Sequence, residues 1–473
     1  MAKKSDVVIK NGIVVSSKGQ TKGGVAVEGE KISYVGAESG LPEANKVIDA
    51  KGNFIIPGIV EVHCHIGIAP AHLPFDESWQ IQWKTESEAA AYGGVTTVRT
   101  CVTFSEPYLP IIDKYIKWAS ENSYLDFGIY PTVTKPEHID ELVPMAERGM
   151  SSWKCFYDAY QGEEGRQVGL AHTDSGMLYK AFEKLGSFGY PGLVMIHAEE
   201  YALYTMLQER FIQEGRKDLK AWSDSRPNIC EAMKIHCGAM ICGEVGGAPL
   251  YIVHMSTKEG VDICADYQSK GVDVIPETLP CFLVNTKHDG EKIGVWGKIN
   301  PPFREREDID RMWEGLASGI VKCIGTDTCA YSQEDKEAGL GQFGNVWKAM
   351  PGLSGGNQHW LPILMTDGYH KGRLTIEQIV GICCENNAKT HGNYPRKGVL
   401  AVGSDADIVI VDPEMEMTVG PGFYRGLNKT FSHVWGKELK GLPVMTMVRG
   451  KVIMEDWKTV GEPGYGQFIP STK

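Results

Sequence analysis

Gly58-Ile59-Val60-Glu61-Val62-His63-Cys64-His65 is an apolar run that ends in two histidines two residues apart. On an extended strand, residues i and i+2 share a face. A strand here would therefore aim both imidazoles at one point. Neutral imidazole is a common transition-metal ligand. Taken alone, the pair reads equally well as two surface histidines near a strand end, so the rest of the chain has to decide.

Downstream of it, short apolar runs alternate with amphipathic stretches. Strands are predicted to end near His65, Val102, Val133, Phe156, Ala198, Met255, Leu279 and Asp327. Residues 111–118, 139–149 and 177–186 carry helical spacing, and glycine often follows the last helical residue, as a C-terminal cap requires. Pro144 interrupts the second of these stretches. Eight strands alternating with helices predict an α/β chain folded as a (β/α)8 barrel. The competing architecture is a doubly wound open sheet, which is weakened because no Gly-rich phosphate loop follows the first strand.

Residues 6–55 read as short strands punctuated by turns at Asn11-Gly12, with a hairpin around Gly29. A second β-rich segment lies at 406–411 and 444–453. Neither closes a core alone. The termini are expected to combine into one small β-sandwich, residues 1–55 with 396–473, beside a barrel of residues 56–395.

In a barrel, functional residues gather at the C-terminal ends of the strands. The predicted first strand ends with His63 and His65, the fifth with His197, the sixth with His254 and the eighth with Asp327; the fourth carries Lys154 inside an apolar run. Each has an ordinary structural reading: a hydrogen-bonded histidine, an aspartate N-cap, a snorkelling lysine. All six at one end of one barrel suit a two-metal site with open positions instead. Lys154 fits only if its chemistry changes. A buried lysine has a depressed pKa and a nucleophilic amine, so it could add carbon dioxide and become a carbamate.

The 473-residue chain carries a formal net charge of -12, which argues against nucleic acid or an acidic membrane as partner. Its 12 cysteines show no regular spacing and read as reduced core thiols of a cytoplasmic protein. No stretch near Met1 is long and apolar enough for a signal peptide or membrane span.

The ordered motifs resemble the cyclic amidohydrolases, the group of dihydropyrimidinase, hydantoinase and allantoinase within the metal-dependent amidohydrolases. They are Pro57 through His65, Gly93-Gly94-Val95-Thr96-Thr97, Trp153-Lys154-Cys155-Phe156, Ile196-His197-Ala198-Glu199, Val253-His254-Met255-Ser256 and Pro301-Pro302-Phe303-Arg304. A longer one runs from Tyr394-Pro395-Arg396-Lys397-Gly398 to Asp407, and Gly461-Glu462-Pro463-Gly464 resembles hydantoinase tails.

The resemblance implies hydrolysis of a cyclic amide, ureide or imide to a ring-opened acid by metal-activated water, with Asp327 as the catalytic proton carrier. It implies two divalent ions, zinc first, with manganese, cobalt or nickel as alternatives. His63, His65 and Asp327 would hold one ion and His197 and His254 the other, with Lys154 bridging as N6-carboxylysine. It further implies a small-molecule substrate and a homotetramer. Allantoin, cyclic imides and lactams are alternative substrates. The alternative class is a non-enzymatic dihydropyrimidinase-related scaffold, but such relatives lose metal ligands that this chain keeps.

The departures fall on substrate-facing loops. The family's tyrosine five residues after the lysine is Ala159 here, which leaves Tyr160 as the candidate contact to the substrate carbonyl. Asn300 replaces the serine before Pro-Pro, and Asn357, at the end of the Gly-rich stretch 350–357, is a further candidate. That stretch is expected to offer backbone contacts to a flat ring. Gly67 stands where dihydroorotases place an arginine. Arg99 is read as structural, and the unusual loop from Ile66 to His72 as the segment that decides which ring enters.

Overall fold

The computed structural model describes residues 4–67, 74–162, 165 and 171–473. Eight parallel strands form the barrel: Ile59–His65, Val95–Val102, Asp126–Val133, Ser152–Tyr157, Leu193–Ala198, Leu250–Ile252, Val274–Thr278 and a divided eighth strand. The division falls at Gly325-Thr326-Asp327. Cys323–Ile324 pairs with Val274–Thr278, and Thr328–Cys329 pairs with Ile59–His65, so the break sits where the barrel closes. Strand number agrees with the sequence expectation, and so do most strand ends; the sixth strand stops at Ile252, short of Met255, so His254 lies just beyond it. The predicted helices are present as Ile112–Asn122, His138–Glu147 and Ser175–Phe188, and Pro144 is accommodated inside the second.

Strand alternation partitions the side chains as the barrel requires. In Ser152–Tyr157, Trp153, Cys155 and Tyr157 join the large apolar layer under the helices, while Lys154 and Phe156 point the other way. A separate apolar cluster of Cys101, Tyr130, Leu193, Met195, Tyr251, Val253, Ile275 and Cys323 plugs the barrel interior. Met195 lies two residues before His197 on the same strand face, so this plug forms the floor beneath the histidines.

Both termini share one nine-stranded sheet whose order runs Lys458–Thr459, Lys451–Glu455, Glu438–Val448, Ile408–Thr418, Phe54–Pro57, Ser5–Ser16, Gly19–Glu28 and Lys31–Gly36, with Ala44–Asp49 pairing Ser5–Ser16. It encloses a core of its own that includes Ile9, Val25, Ile55, Ile408 and Met447. The hairpin at Gly29 forms as expected, with φ +57. The expected turn at Asn11-Gly12 does not. Ser5–Ser16 is one strand with a bulge between Ile9 and Gly12, where Asn11 takes φ +55 and its side chain donates to Asp49 at 2.9 Å. The bulge absorbs the extra residue without reversing the chain. Among the described residues no helix is long and apolar enough to cross a membrane, and all twelve cysteines are free thiols.

Candidate metal centre

The strand ends bring all six expected ligand side chains, Lys154 among them, to one place. His63, His254 and Asp327 each offer a ligand atom, all within 4.8 Å of one another. His65 Nε2 lies 3.1 Å from Asp327 Oδ1, and His63 Nε2 lies 3.3 Å from the same oxygen. Lys154 Nζ is 3.0 Å from His63 Nε2. On the other side, His197 Nδ1 faces His254 Nε2 at 2.9 Å, with the two rings in a T arrangement.

Carboxylates behind the histidines decide which ring nitrogen faces inward. Glu277 Oε1 accepts from His63 Nδ1 at 2.8 Å, leaving the Nε2 lone pair for the centre. Glu199 Oε2 accepts from His197 Nε2 at 2.9 Å, leaving Nδ1. Such outer carboxylates fix the tautomer and raise ligand basicity. Sequence reasoning gave neither residue a role. A signal existed for both: Glu199 follows His197 by two residues, and Glu277 ends a strand for which the sequence reading named no functional residue.

Burial decides the protonation states. It holds His63, His197 and His254 below the ordinary histidine range, aided in each case by neighbouring positive charge. It also lowers Lys154, against the pull of Cys101, Asp327 and Glu277. The Asp327 carboxyl resists burial and is held down to about 2 by His63, His65 and Lys154. Burial pushes Glu277 up to about 8. The donor set is thus neutral imidazoles, an ionised carboxylate and an amine biased toward its neutral form, all converging on one space. That chemistry fits divalent ions, and several facing acceptors without a cation between them would not be stable.

Two ligand-bearing residues adopt backbones that residues with a Cβ rarely take: φ is +41 at His254 and +50 at Asp327. Strain of this kind concentrates at functional sites. At Asp327 the division of the eighth strand allows it. Asp327 N donates to His63 O at 2.7 Å, which locks the aspartate to the first strand.

The substrate-side candidates separate. Tyr160 is buried with its ring 5.3 Å from that of His197, and Asn300 Nδ2 donates to its hydroxyl at 2.8 Å. Tyr157 instead exchanges a hydrogen bond with Ser175. Asn357 is buried beside the eighth strand. Its Oδ1 accepts from Thr326 Oγ1 at 3.0 Å and its N–H donates to Thr328 Oγ1 at 3.1 Å. Those two hydroxyls also touch each other at 2.7 Å.

The Gly-rich stretch also spends part of its backbone internally. Lys336 Nζ donates to Met350 O and Gly352 O, and Gly352 N–H to Lys298 O, which engages part of that backbone within the fold. Gly67 has φ +97, and a Cβ on it would lie 2.2 Å from the Trp79 ring, so no arginine fits at that position. Arg99 is buried and donates to Asn393 and Ser471, as its structural reading requires. Of the unusual loop, residues 68–73 lie outside the described residues.

Residues 194–453 match the model of the amidohydrolase family. The chain is 34% identical over 470 residues to the L-hydantoinase of Paenarthrobacter aurescens, covering 98% of both chains. The chain belongs to the amidohydrolase family. It is also 31% identical to the D-hydantoinase of Ralstonia pickettii, covering 99% of each. Among solved structures, the L-hydantoinase (dihydropyrimidinase) from Arthrobacter aurescens superposes with a TM-score of 0.90 at 33% identity, covering 98% of this chain and 100% of that one. A dihydropyrimidinase from Brevibacillus agri gives 0.88 at 27% identity, covering 98% of each. These relatives match both the barrel and the terminal sheet, so this amidohydrolase shares their whole architecture.

Proposed function

We propose that this chain is a binuclear metal-dependent hydrolase of cyclic amides, acting on a hydantoin, a dihydropyrimidine or a related ureide or imide. The observation that carries the reading is the convergence of His63, His65, His197, His254, Asp327 and Lys154 on one buried space, with Glu277 and Glu199 fixing the tautomers. His63, His65 and Asp327 would hold one ion and His197 and His254 the other. Lys154, carboxylated by carbon dioxide, would supply the oxygens between them. Zinc suits the imidazole and carboxylate donors, as do manganese, cobalt and nickel. When bound, such ions lower the pKa of water and polarise a carbonyl.

The remaining work falls to the protein's own side chains. Asp327, ionised at neutral pH, takes a proton at its carboxylate from the attacking water and returns it to the leaving nitrogen. Tyr160, which accepts from Asn300, directs its hydroxyl proton at the ring carbonyl oxygen. Asn300 Oδ1, buried without a protein partner, accepts from a ring N–H. A ring with adjacent N–H and C=O groups satisfies both, and the products are an N-carbamoyl or amide acid.

We assign residues 56–395 to the catalytic barrel and 1–55 with 396–473 to the terminal domain. The buried free thiols support a reducing, cytoplasmic setting, and the assembly we propose is the homotetramer that the sequence motifs imply by resemblance.

The test is metal analysis followed by a hydrolysis panel of dihydrouracil, hydantoins, allantoin and cyclic imides, with protein reconstituted in metal and bicarbonate. About two ions per chain and turnover of at least one ring are expected. Protein that binds no metal and stays inert after reconstitution would overturn the reading.

A further inference from the structure

The loop after the fourth barrel strand reaches the centre through an unfavourable backbone. Asp158 has φ +59 and Tyr160 φ +56, in the left-handed region that side chains with a Cβ disfavour. Such a loop keeps its shape only when surrounding contacts over-determine it. Asp158 N–H donates to Thr173 O at 3.0 Å, and Tyr160 N–H donates to Tyr204 Oη at 3.3 Å. Gln161 Nε2 donates to Asp158 Oδ1 at 2.7 Å.

The remaining restraint comes from outside the loop. Lys234, on the helix Asn228–Val245, places its Nζ 2.5 Å from Asp158 Oδ2 and 2.7 Å from Glu200 Oε2. Glu200 directly follows Glu199, the carboxylate on His197. One ammonium therefore joins the loop that carries Tyr160 to the strand end that carries His197. Its side chain is 13% exposed, so water screens the two ion pairs only in part. Burial opposes the charge, and the bonds to Asp158 and Glu200 outweigh it, lifting the ammonium above the ordinary lysine range.

We propose that Lys234 is a positioning residue for the hydrolysis: by clamping Asp158 to Glu200 it sets the gap between the Tyr160 hydroxyl and the His197–His254 half of the centre, where the scissile carbonyl must fit. The inference rests on the reading of Tyr160 as the carbonyl contact. Among the described residues, the ion pairs of Lys234 go to Asp158 and Glu200, neither of them a candidate metal ligand.

Steady-state kinetics of full-length, metal-loaded protein test this, with hydantoin or dihydrouracil as substrate. Lys234→Met should lower kcat/KM about tenfold or more, since small misplacements of a positioning group are costly, while metal content stays unchanged. Lys234→Arg should recover most of the loss. The double variant Tyr160→Phe/Lys234→Met should be no slower than Tyr160→Phe alone, because misplacing a hydroxyl that is absent costs nothing. Wild-type kinetics for Lys234→Met, or losses that multiply in the double variant, would overturn the clamp and leave the Tyr160 reading standing. Wild-type kinetics for Tyr160→Phe would overturn that reading and the clamp with it. If Lys234→Met fails to fold, Asp158→Asn cuts the same link and must show the same non-additivity with Tyr160→Phe.

Discussion

At the scale of single residues, the centre depends on pairs in which one member does chemistry and the other orients it. Glu277 holds His63 by its Nδ1. Glu277→Gln keeps the shape but weakens the bond that fixes the tautomer, and should lower metal affinity about 10–100-fold, read by competitive metal titration. Asp327→Asn should retain metal on the His197–His254 side, yet lose about 100-fold or more of kcat by removing the proton carrier. Near-normal turnover in that variant would defeat the role given to Asp327. The two carboxylates behind the histidines went unassigned in sequence because a strand-end glutamate resembles any solvated charge. Only folding shows Glu277 and Glu199 buried against imidazoles.

At the scale of elements, the eighth strand is the decisive one. Its division at Gly325–Asp327 lets each half pair with a different neighbour and places Asp327 at the break with φ +50. Behind it, the helix Gly356–Ile363 starts against the end of the helix Phe75–Tyr92, where Gly93 meets Asn357. A Cβ on Gly93 would lie 2.0 Å from Asn357 O, a backbone atom that no side-chain rotation can move. Gly93→Ala should therefore destabilise the fold by about 1–3 kcal/mol, seen as a lower Tm. It should also disturb the Thr326–Thr328–Asn357 brace next to Asp327. Asn357 was legible as a special residue, but its bonds to Thr326 and Thr328 were not.

At the scale of the whole molecule, the barrel and the terminal sheet are joined by a buried charge network. Lys397 Nζ lies 2.5 Å from Asp126 Oδ2, 2.7 Å from Asp407 Oδ2 and 3.0 Å from Asp405 Oδ2, and Arg449 Nε reaches Asp126 Oδ2 at 3.0 Å. Asp126 belongs to a barrel strand, and the others lie in or beside the terminal sheet. Lys397→Met would leave carboxylates buried without their cation, and should cost about 3–5 kcal/mol in urea unfolding.

The same network predicts an acid limit to stability. Burial opposes the charge on Asp405, but Lys397, Lys31 and Arg396 hold its carboxyl down to about 2, from an ordinary value of 3.8. A depressed carboxyl contributes stability that is complete above its unfolded value and lost as pH falls through the folded one. Tm should therefore drop between about pH 4 and pH 2, and Asp405→Asn should flatten that decline.

Read without coordinates, the chain already declares its strand count, its barrel and the six side chains that meet at its mouth. Period-two alternation and the placement of polar residues at apolar strand ends are local properties, written into neighbouring residues. What depended on the tertiary structure was everything set by residues distant in sequence. The carboxylates that choose the ring nitrogens are one case, and the bonds from Lys336 to the carbonyls of Met350 and Gly352 are another. The bonds of Asn357 to Thr326 and Thr328 and the ammonium that ties Tyr160 to His197 belong with them. Each of these is a contact between segments that meet only after the barrel closes, and burial then determines which groups keep a charge.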